Sequence, residues 1–290
     1  MADRINVVVD ISHHNGNVDL GAAKAGGIVG VIHKATQGTS FVDSQYTINK
    51  QKALAASLLW GAYHFGTGDD AVQQANRFLN TVQPASETLV VLDFEENPQG
   101  SSMTLEQARA FVTQVHDATG RWPGLYGGSY LKQKLGASQD PVLANCWLWY
   151  SRFGSEPVAP PTWTKWTMWQ YTDGTNGPDP HDAPGIGPCD RDIFNGDLSQ
   201  LQALWNASVL PPVVPPPATI IYRLTNPMMT GPTVVAIQQA LSSAGFDPGP
   251  ADGQFGPRTK AAVASFQTAQ GLTADGEVGP QTAAALGVQL

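Results

Sequence analysis

Short runs of apolar, β-branched or aromatic residues alternate with helix-like segments along the first 209 residues of the chain. Runs of this kind, bounded by glycine, proline and polar residues, predict β-strands. Helices are predicted between several strands, for example over Asp69–Thr81 and Thr104–Thr119, but near Gly124 and Thr167 the helical links are weak or missing. The predicted strands are Ile5–Ser12, Gly27–Thr36, Leu58–Phe65, Thr88–Glu95, Gly124–Gly127, Cys146–Phe153, Thr167–Thr172 and Cys189–Phe194.

The order of these elements predicts the fold class. Strand–helix alternation favours a parallel sheet, and about eight strands favour a sheet that closes into a (β/α) barrel. Because helices are scarce in the second half of this region, we predict an α/β fold with an irregular barrel that has fewer helices than strands.

A proline-rich segment divides the chain. Residues 210–219 read LPPVVPPPAT, a composition that excludes helix and central strand and favours an extended spacer. Beyond it, DGQFGPRT at 252–259 returns as DGEVGPQT at 275–282. Asp-Gly turns followed by Gly-Pro helix starts predict a small all-α domain of about three helices. We therefore predict a barrel over 1–209, a linker over 210–219 and a three-helix domain over 220–290.

Charge and composition narrow the classes of function. The 290 residues carry a formal net charge of −8, which argues against nucleic acid or an anionic membrane as a partner. The chain starts without a secretion-signal pattern and has no apolar run long enough for a membrane span, so we expect a soluble product made in the cytoplasm. A monomer is expected, although the sequence does not fix the oligomeric state. Cys146 and Cys189 are too few for a disulfide scaffold and fit no zinc motif, and whether they pair stays open.

The sharpest chemical signal is the segment LVVLDFEENP at 89–98, where an apolar strand ends in carboxylates. Side chains alternate along a strand, so Asp93 and Glu95 share a face with Val91, at the strand end where barrels carry their catalytic groups. Two neighbouring acids suit glycosidic cleavage, because one stays ionised while burial and like charge keep a proton on the other. For an isolated Asp-x-Glu pattern, a helix cap or solvated loop is the ordinary alternative.

Two more aspartates extend this cluster. Asp10 follows the apolar run Val7–Val9, and Asp190 and Asp192 lie on the last predicted strand. The first and last strands of a closed barrel are neighbours, so Asp10 and Asp190 are expected to meet. A single aspartate at a strand end is more often a cap, but three strands that end in aspartate at matching places predict one acidic site.

Several segments resemble, in chain order, family-25 glycoside hydrolases, the Chalaropsis-type lysozymes. They span about residues 5 to 205 and are individually weak but jointly specific. The chain departs from the family pattern at His14 (often Trp), Gln37 (usually Glu), Cys189 (usually Val) and Asp192 (often Asn). The matching segments are DISHHNG at 10–16, HKATQG at 33–38, GAYHF at 61–65, DFE at 93–95, WQY at 169–171, CD at 189–190 and FNG at 194–196.

This resemblance implies a muramidase that cleaves peptidoglycan without a cofactor or metal. It implies Glu95 as the general acid and Asp93 as an ionised group that orients the 2-acetamido group of the substrate, whose oxygen acts as the internal nucleophile. Asp10 and Asp190 would complete the acidic floor. The residues 228–287 resemble a three-helix peptidoglycan-binding domain. With no export signal, a phage endolysin is expected, and a bacterial autolysin is the alternative.

Polar and aromatic residues of the predicted strands are candidates for substrate binding, because sugars stack on aromatic faces. The alternative for each is a place in the barrel core. The resemblance favours Tyr63 and Tyr126 within this set. The candidates are Tyr63, Tyr126, Gln170, Trp149 and Tyr171.

Two other classes of function stay open. A zinc-dependent wall amidase would use some of the six histidines, but no His-Glu-x-x-His spacing occurs, and His13 and His14 are expected to point apart as strand neighbours. A non-catalytic wall-binding protein would have a broken acidic cluster, whereas the sequence retains Asp10, Asp93 and Glu95.

Overall fold

The computed structural model describes residues 4–206 and 221–288, which belong to two compact units, residues 1–215 and 216–290. The predicted linker at 210–219 lies outside the described residues. The boundaries predicted from the sequence therefore stay predictions. No described helix is long and apolar enough to cross a membrane.

A sheet of eight strands closes on itself in the first unit. The sheet order is β1-β11-β8-β7-β6-β5-β4-β2, and β1 pairs with β2 to complete the barrel, while β3 extends β2 outside it. A separate hairpin is formed by β9 and β10. The strands are β1 (Ile5–Ile11), β2 (Gly30–Gln37), β3 (Phe41–Val42), β4 (Leu59–Phe65), β5 (Thr88–Asp93), β6 (Gly124–Gly127), β7 (Trp147–Ser151), β8 (Met168–Asp173), β9 (Asp182–Ala183), β10 (Gly187–Pro188) and β11 (Asp190–Phe194).

Helices follow most strands of the first half of the barrel but become scarce in the second. Within the described residues only a short helix follows β6, and none lies between β7 and β8 or between β8 and β11. The predicted irregular barrel with fewer helices than strands, and the small helical domain, are confirmed. The helices are α1 (Leu20–Ala25), α2 (Tyr46–Ala55), α3 (Ala71–Val82), α4 (Leu105–Thr119), α5 (Ser129–Leu135), α6 (Leu198–Trp205), α7 (Pro232–Ser243), α8 (Pro257–Ala269) and α9 (Pro280–Leu286).

The expectation of an all-parallel sheet is wrong for the last strand. β11 runs antiparallel to both β8 and β1, whereas the other barrel strands pair in parallel. A parallel strand needs a crossover helix, but an antiparallel one needs only a return loop. Residues 174–189 supply this loop, so Asp190 begins its strand rather than ending it.

The barrel has an inner and an outer core. Inside it, Val8, Ile32 and Val91 pack with residues of α6, and Trp205 of that helix lies so close that a Cβ added to Gly30 would stand 3.2 Å from its ring. Because this cluster includes Val29, just before β2, and Leu59, at the start of β4, α6 covers the base of the barrel. The outer core lies between the sheet and the surrounding helices. Because α6 covers one end of the barrel, the opposite end is the one that can hold a pocket.

The second unit packs α7, α8 and α9 around a small apolar core, and each helix begins with proline after glycine. A buried glutamine of α7, Gln238, holds the first Asp-Gly loop. Its Nε2 donates to Asp252 Oδ1 (3.0 Å), to the carbonyl of Gln254 (3.1 Å) and to Thr259 Oγ1 (3.2 Å). Its Oε1 accepts the N–H of Gly253 at 2.9 Å.

The same four bonds recur one repeat later. Gln267 of α8 donates to Asp275 Oδ1 (2.7 Å), to the carbonyl of Glu277 (2.9 Å) and to Thr282 Oγ1 (3.1 Å), and it accepts the N–H of Gly276 at 2.9 Å. We call each arrangement a glutamine clasp. The two copies of the sequence repeat therefore form the same set of hydrogen bonds.

Candidate active site

A pocket of about 700 Å³ lies at the end of the barrel where the parallel strands finish. It draws residues from β1, β4, β5, β6, β7, β8 and β11, so no single segment of sequence builds it. Its lining contains Asp10, Tyr63, Asp93, Glu95, Tyr126, Gly128, Ser129, Lys132, Trp149, Tyr150, Ser151, Arg152, Phe153, Gln170 and Asp190.

Asp93 and Glu95 lie side by side in this pocket. Asp93 is the last residue of β5 and is only 6% exposed, and Glu95 follows two residues later and is partly exposed. Within the described residues, Oδ1 of Asp93 is buried without a hydrogen-bond partner. Glu96, by contrast, is exposed and is absent from the lining. The structure thus brings the two acids together and leaves an acceptor atom of Asp93 unused.

The pair holds protons more tightly than exposed carboxyls do. Burial raises the pKa of Asp93 well above its usual range, and the charge of Glu95 raises it further. Burial also raises the pKa of Glu95, while the positive charge of Lys34 lowers the pKa of both acids. Like charges this close do not both ionise readily, so the pair retains a proton where separate acids would have lost theirs.

Asp10 and Asp190 face each other across the first and last barrel strands. They are register partners in the antiparallel pairing of β1 with β11. Burial, followed by the charges of Asp173 and Glu95, raises the pKa of Asp190 to about 7. The expected meeting of Asp10 and Asp190 thus depends on an antiparallel strand, where a parallel one was predicted.

Gln170 joins three strands beneath the pocket. Its Nε2 donates to Asp10 Oδ2 at 2.9 Å, and its Oε1 accepts hydrogen bonds from the hydroxyls of Tyr126 (2.7 Å) and Ser151 (3.1 Å). Because both ends of the amide are satisfied, its orientation is fixed and it presents an N–H to Asp10. These bonds hold the floor of the pocket rigid.

Asp192 lies below this floor and is fully buried. Its Oδ1 accepts the indole N–H of Trp149 at 2.7 Å, and the carboxyls of Asp10 and Asp190 are nearby. Burial raises the pKa of Asp192 well above its usual range, although the bond from Trp149 offsets part of that shift. The other oxygen, Oδ2, is buried without a hydrogen-bond partner among the described residues, so ionisation of this carboxyl is costly.

The candidate substrate-binding residues divide between the two faces of the sheet. Tyr63, Tyr126, Trp149 and Gln170 line the pocket, but Tyr171 does not. Tyr171 lies in the outer core, where its hydroxyl accepts a hydrogen bond from Asn6 (2.7 Å) and donates to the carbonyl of Pro180 (2.8 Å). Strand alternation is the reason, since two consecutive residues cannot both face the pocket.

The histidines have structural partners. His13 and His14 lie in a short 3-10 helix with ring centroids 4.0 Å apart, so the expectation that they point apart on a strand is wrong. His13 Nδ1 lies 2.7 Å from Asp43, and the buried His64 bonds Thr36 and Gln74. Over residues 4–206 and 221–288, no group of three or more His, Cys, Asp or Glu is placed to hold a metal ion. Both cysteines are free and buried.

Four ionisable side chains in or next to the pocket received no role from the sequence. Lys34 stands on the inward face of β2, with Nζ 2.7 Å from Gln37 Oε1 and 4.9 Å from the centroid of the Phe65 ring. A lysine within an apolar strand, in step with Ile32, was the available signal. The others are Lys132, Arg152 and Asp192, of which the first two lie outside any motif.

Comparison with known proteins identifies the barrel. The profile of glycosyl hydrolases family 25 matches residues 9–179, which is more than half of the chain. The chain belongs to this family. The family-25 barrel carries the four acids at its open end, and the second unit matches a putative peptidoglycan binding domain over residues 230–286.

Relatives of this family-25 chain include proteins of named activity. It is 30% identical over 214 residues to lysozyme M1 of Streptomyces globisporus, covering 68% of this chain and 70% of that protein. It is 29% identical over 206 residues to an N,O-diacetylmuramidase of Arthroderma benhamiae, covering 67% and 83%. The crystal structure of a bacterial lysozyme from Streptomyces coelicolor superposes with a TM-score of 0.63 at 28% identity, over 72% of this chain and 99% of that one.

Proposed function

We propose that this protein is an N-acetylmuramidase that hydrolyses the β-1,4 bond between N-acetylmuramic acid and N-acetylglucosamine in peptidoglycan. One observation carries the proposal: Asp93 and Glu95, from one strand end, share a pocket with Asp10 and Asp190 from two others. The family-25 relatives named lysozyme or muramidase support this substrate class. A monomeric state and an endolysin origin stay predictions.

Glu95 acts as the general acid in this proposal. It donates its proton to the glycosidic oxygen as the C1–O bond breaks, and afterwards it accepts a proton from the water that completes hydrolysis. Of the two acids, Glu95 is the more exposed and so reaches the substrate, while Asp93 takes the negative charge. The positive charge of Lys34 lowers the pKa of both acids, so it stabilises the one carboxylate of the pair while the other acid keeps its proton.

Asp93 positions the internal nucleophile. Its buried Oδ1 lacks a partner among the described residues, and the N–H of the substrate's 2-acetamido group would supply one. Held by this bond, the acetamido oxygen attacks C1 as the leaving group departs, and water later opens the ring that forms. Asp10 and Asp190 keep the floor acidic, and Tyr63, Tyr126, Trp149 and Gln170 shape the sugar site. Tyr171 has no place in it.

The experiment that tests this function is mass spectrometry of digested peptidoglycan. A new reducing end on muramic acid is expected. A reducing end on glucosamine would indicate a glucosaminidase, and free peptide would indicate the amidase alternative, so either result would overturn the proposal.

The matched variants are Glu95→Gln and Glu96→Gln. We expect Glu95→Gln to lose at least about a hundredfold in kcat, the scale of a positioned acid, while its melting temperature and wall binding stay near normal. Glu96→Gln changes the adjacent exposed carboxyl and is expected to retain activity. Substantial lysis by Glu95→Gln would show that another group is the acid.

A further inference from the structure

Two basic side chains stand at the rim of the acidic pocket. Lys132 lies on α5, and Arg152 follows the end of β7, and both line the same pocket as Asp93 and Glu95. Both are exposed. They come from separate elements, so their meeting at one opening results from the fold and not from a run of basic residues in the sequence.

Neither cation is used by the fold within the described residues. No hydrogen bond or ion pair is formed there by the ammonium group of Lys132 or the guanidinium group of Arg152. Other arginines of the barrel are engaged: Arg109 pairs with Asp140 at 2.8 Å, and Arg191 bonds Asn6 at 3.1 Å. Two unpaired cations at the mouth of a pocket are therefore available to a ligand.

The charge of the pocket floor explains why such cations would matter. The floor holds carboxyls from four positions, and it repels an anionic ligand. The glycan of the proposed substrate carries carboxylates on its muramic acid, either on the lactyl group or on the peptide attached to it. A carboxylate therefore needs a cation where its substituent leaves the pocket.

We propose that Lys132 and Arg152 bind a carboxylate on the muramic-acid substituent and so make the enzyme selective for acidic, substituted glycan. The inference rests on the proposed function, because it names the part of that substrate which the rim recognises. The guanidinium group of Arg152 matches a carboxylate with two parallel N–H donors, and the ammonium group of Lys132 adds a point charge.

The test uses the double variant Lys132→Gln with Arg152→Gln, in the full chain. Lys134→Gln is the control, since Lys134 lies on the same helix but outside the pocket lining, with its Nζ 5.0 Å from the Tyr130 ring centroid. Three substrates separate the sources of the carboxylate: peptide-bearing glycan, glycan stripped of peptide with its lactyl carboxylates intact, and the same stripped glycan converted to methyl esters.

The double variant is expected to lose about three- to thirtyfold in kcat/KM on the substrate that carries the recognised carboxylate, the range for two exposed ion pairs. The loss should shrink in high salt, and cleavage of the ester should change less than about twofold. A loss on the peptide-bearing form alone assigns the peptide carboxylate, and a loss on the stripped acidic glycan alone assigns the lactyl carboxylate. A loss on both acidic forms shows that the rim binds a carboxylate from either source. Equal effects on all three substrates overturn the inference. If the wild type cleaves none of them, the proposed function itself fails.

Discussion

Asp192 shows how much a single buried carboxyl affects the site. It is 0% exposed, it receives one hydrogen bond from Trp149, and the nearby acids Asp10 and Asp190 act on it as well. The side chain of Arg191 is directed to Asn6 and to the carbonyl of Asp182 instead. An acid in such surroundings is expected to keep its proton to a higher pH than an exposed aspartate does.

Replacing Asp192 with asparagine tests this at the level of stability. A folded-state pKa above the unfolded value means that the folded state binds the extra proton, so stability falls as pH rises from about 4 towards the folded pKa. Asparagine does not titrate. We therefore expect Asp192→Asn to match the wild type near pH 4 and to exceed it increasingly by pH 7.5, with a melting temperature raised by about 2–4 °C per kcal/mol gained.

Thermal melts across this pH range provide the measurement. The matched control is Asp182→Asn, which makes the same substitution at an exposed aspartate. A constant or declining advantage of Asp192→Asn would mean that Asp192 is ionised in the folded protein.

At the scale of elements, α6 is part of the barrel rather than an appendage. Its Leu201, Leu204 and Trp205 belong to the inner core, and an Asp197–Gln200 capping box starts the helix. Arg121 holds its other end, with Nη2 3.4 Å from the carbonyl of Leu204. The base of the barrel therefore depends on residues that lie late in the sequence.

Trp205 offers a direct test of this role. Trp205→Ala removes a fully buried ring and is expected to cost about 3–5 kcal/mol in the free energy of unfolding. Trp205→Phe keeps most of the ring and removes an indole N–H that has no partner within the described residues, so its cost should be below about 2 kcal/mol. Chemical denaturation measures both, with the exposed Gln202→Ala as control. Equal losses from both substitutions would argue against packing as the cause.

The elements were largely predictable from the sequence, and their directions were not. Apolar runs located all eight barrel strands, because periodicity records burial. The apolar runs could not show that β11 runs antiparallel, because an aspartate next to an apolar run gives the same pattern whether it begins or ends the strand. Strand alternation could have excluded Tyr171 once Gln170 was placed inside. Lys132 and Arg152 come together only in the folded chain, so local pattern held no signal for them.

At the scale of the molecule, a barrel and a helical unit share one chain. The helical unit matches a putative peptidoglycan binding domain. A unit that binds the wall raises the effective concentration of the barrel near its substrate. Removal of residues 211–290 is expected to lower activity on intact walls about tenfold or more. Activity on small soluble glycans should stay within about twofold.

Turbidity clearance of wall suspensions and turnover of a soluble muropeptide provide the two readouts. The truncated chain retains α6, so its melting temperature should match that of the barrel in the full chain. Equal clearance of intact walls by both forms would show that the helical unit contributes no attachment.

The glutamine clasps make one loop of the helical unit a suitable place for insertion. Fourteen positions separate Gln238 from the Asp252 it holds, but only eight separate Gln267 from Asp275, although the four bonds are the same. The same four hydrogen bonds thus form across two segments of different length. A foreign peptide inserted between Gln238 and Asp252 is therefore expected to leave the four bonds intact. This segment is a suitable place to attach a dye or a second recognition sequence.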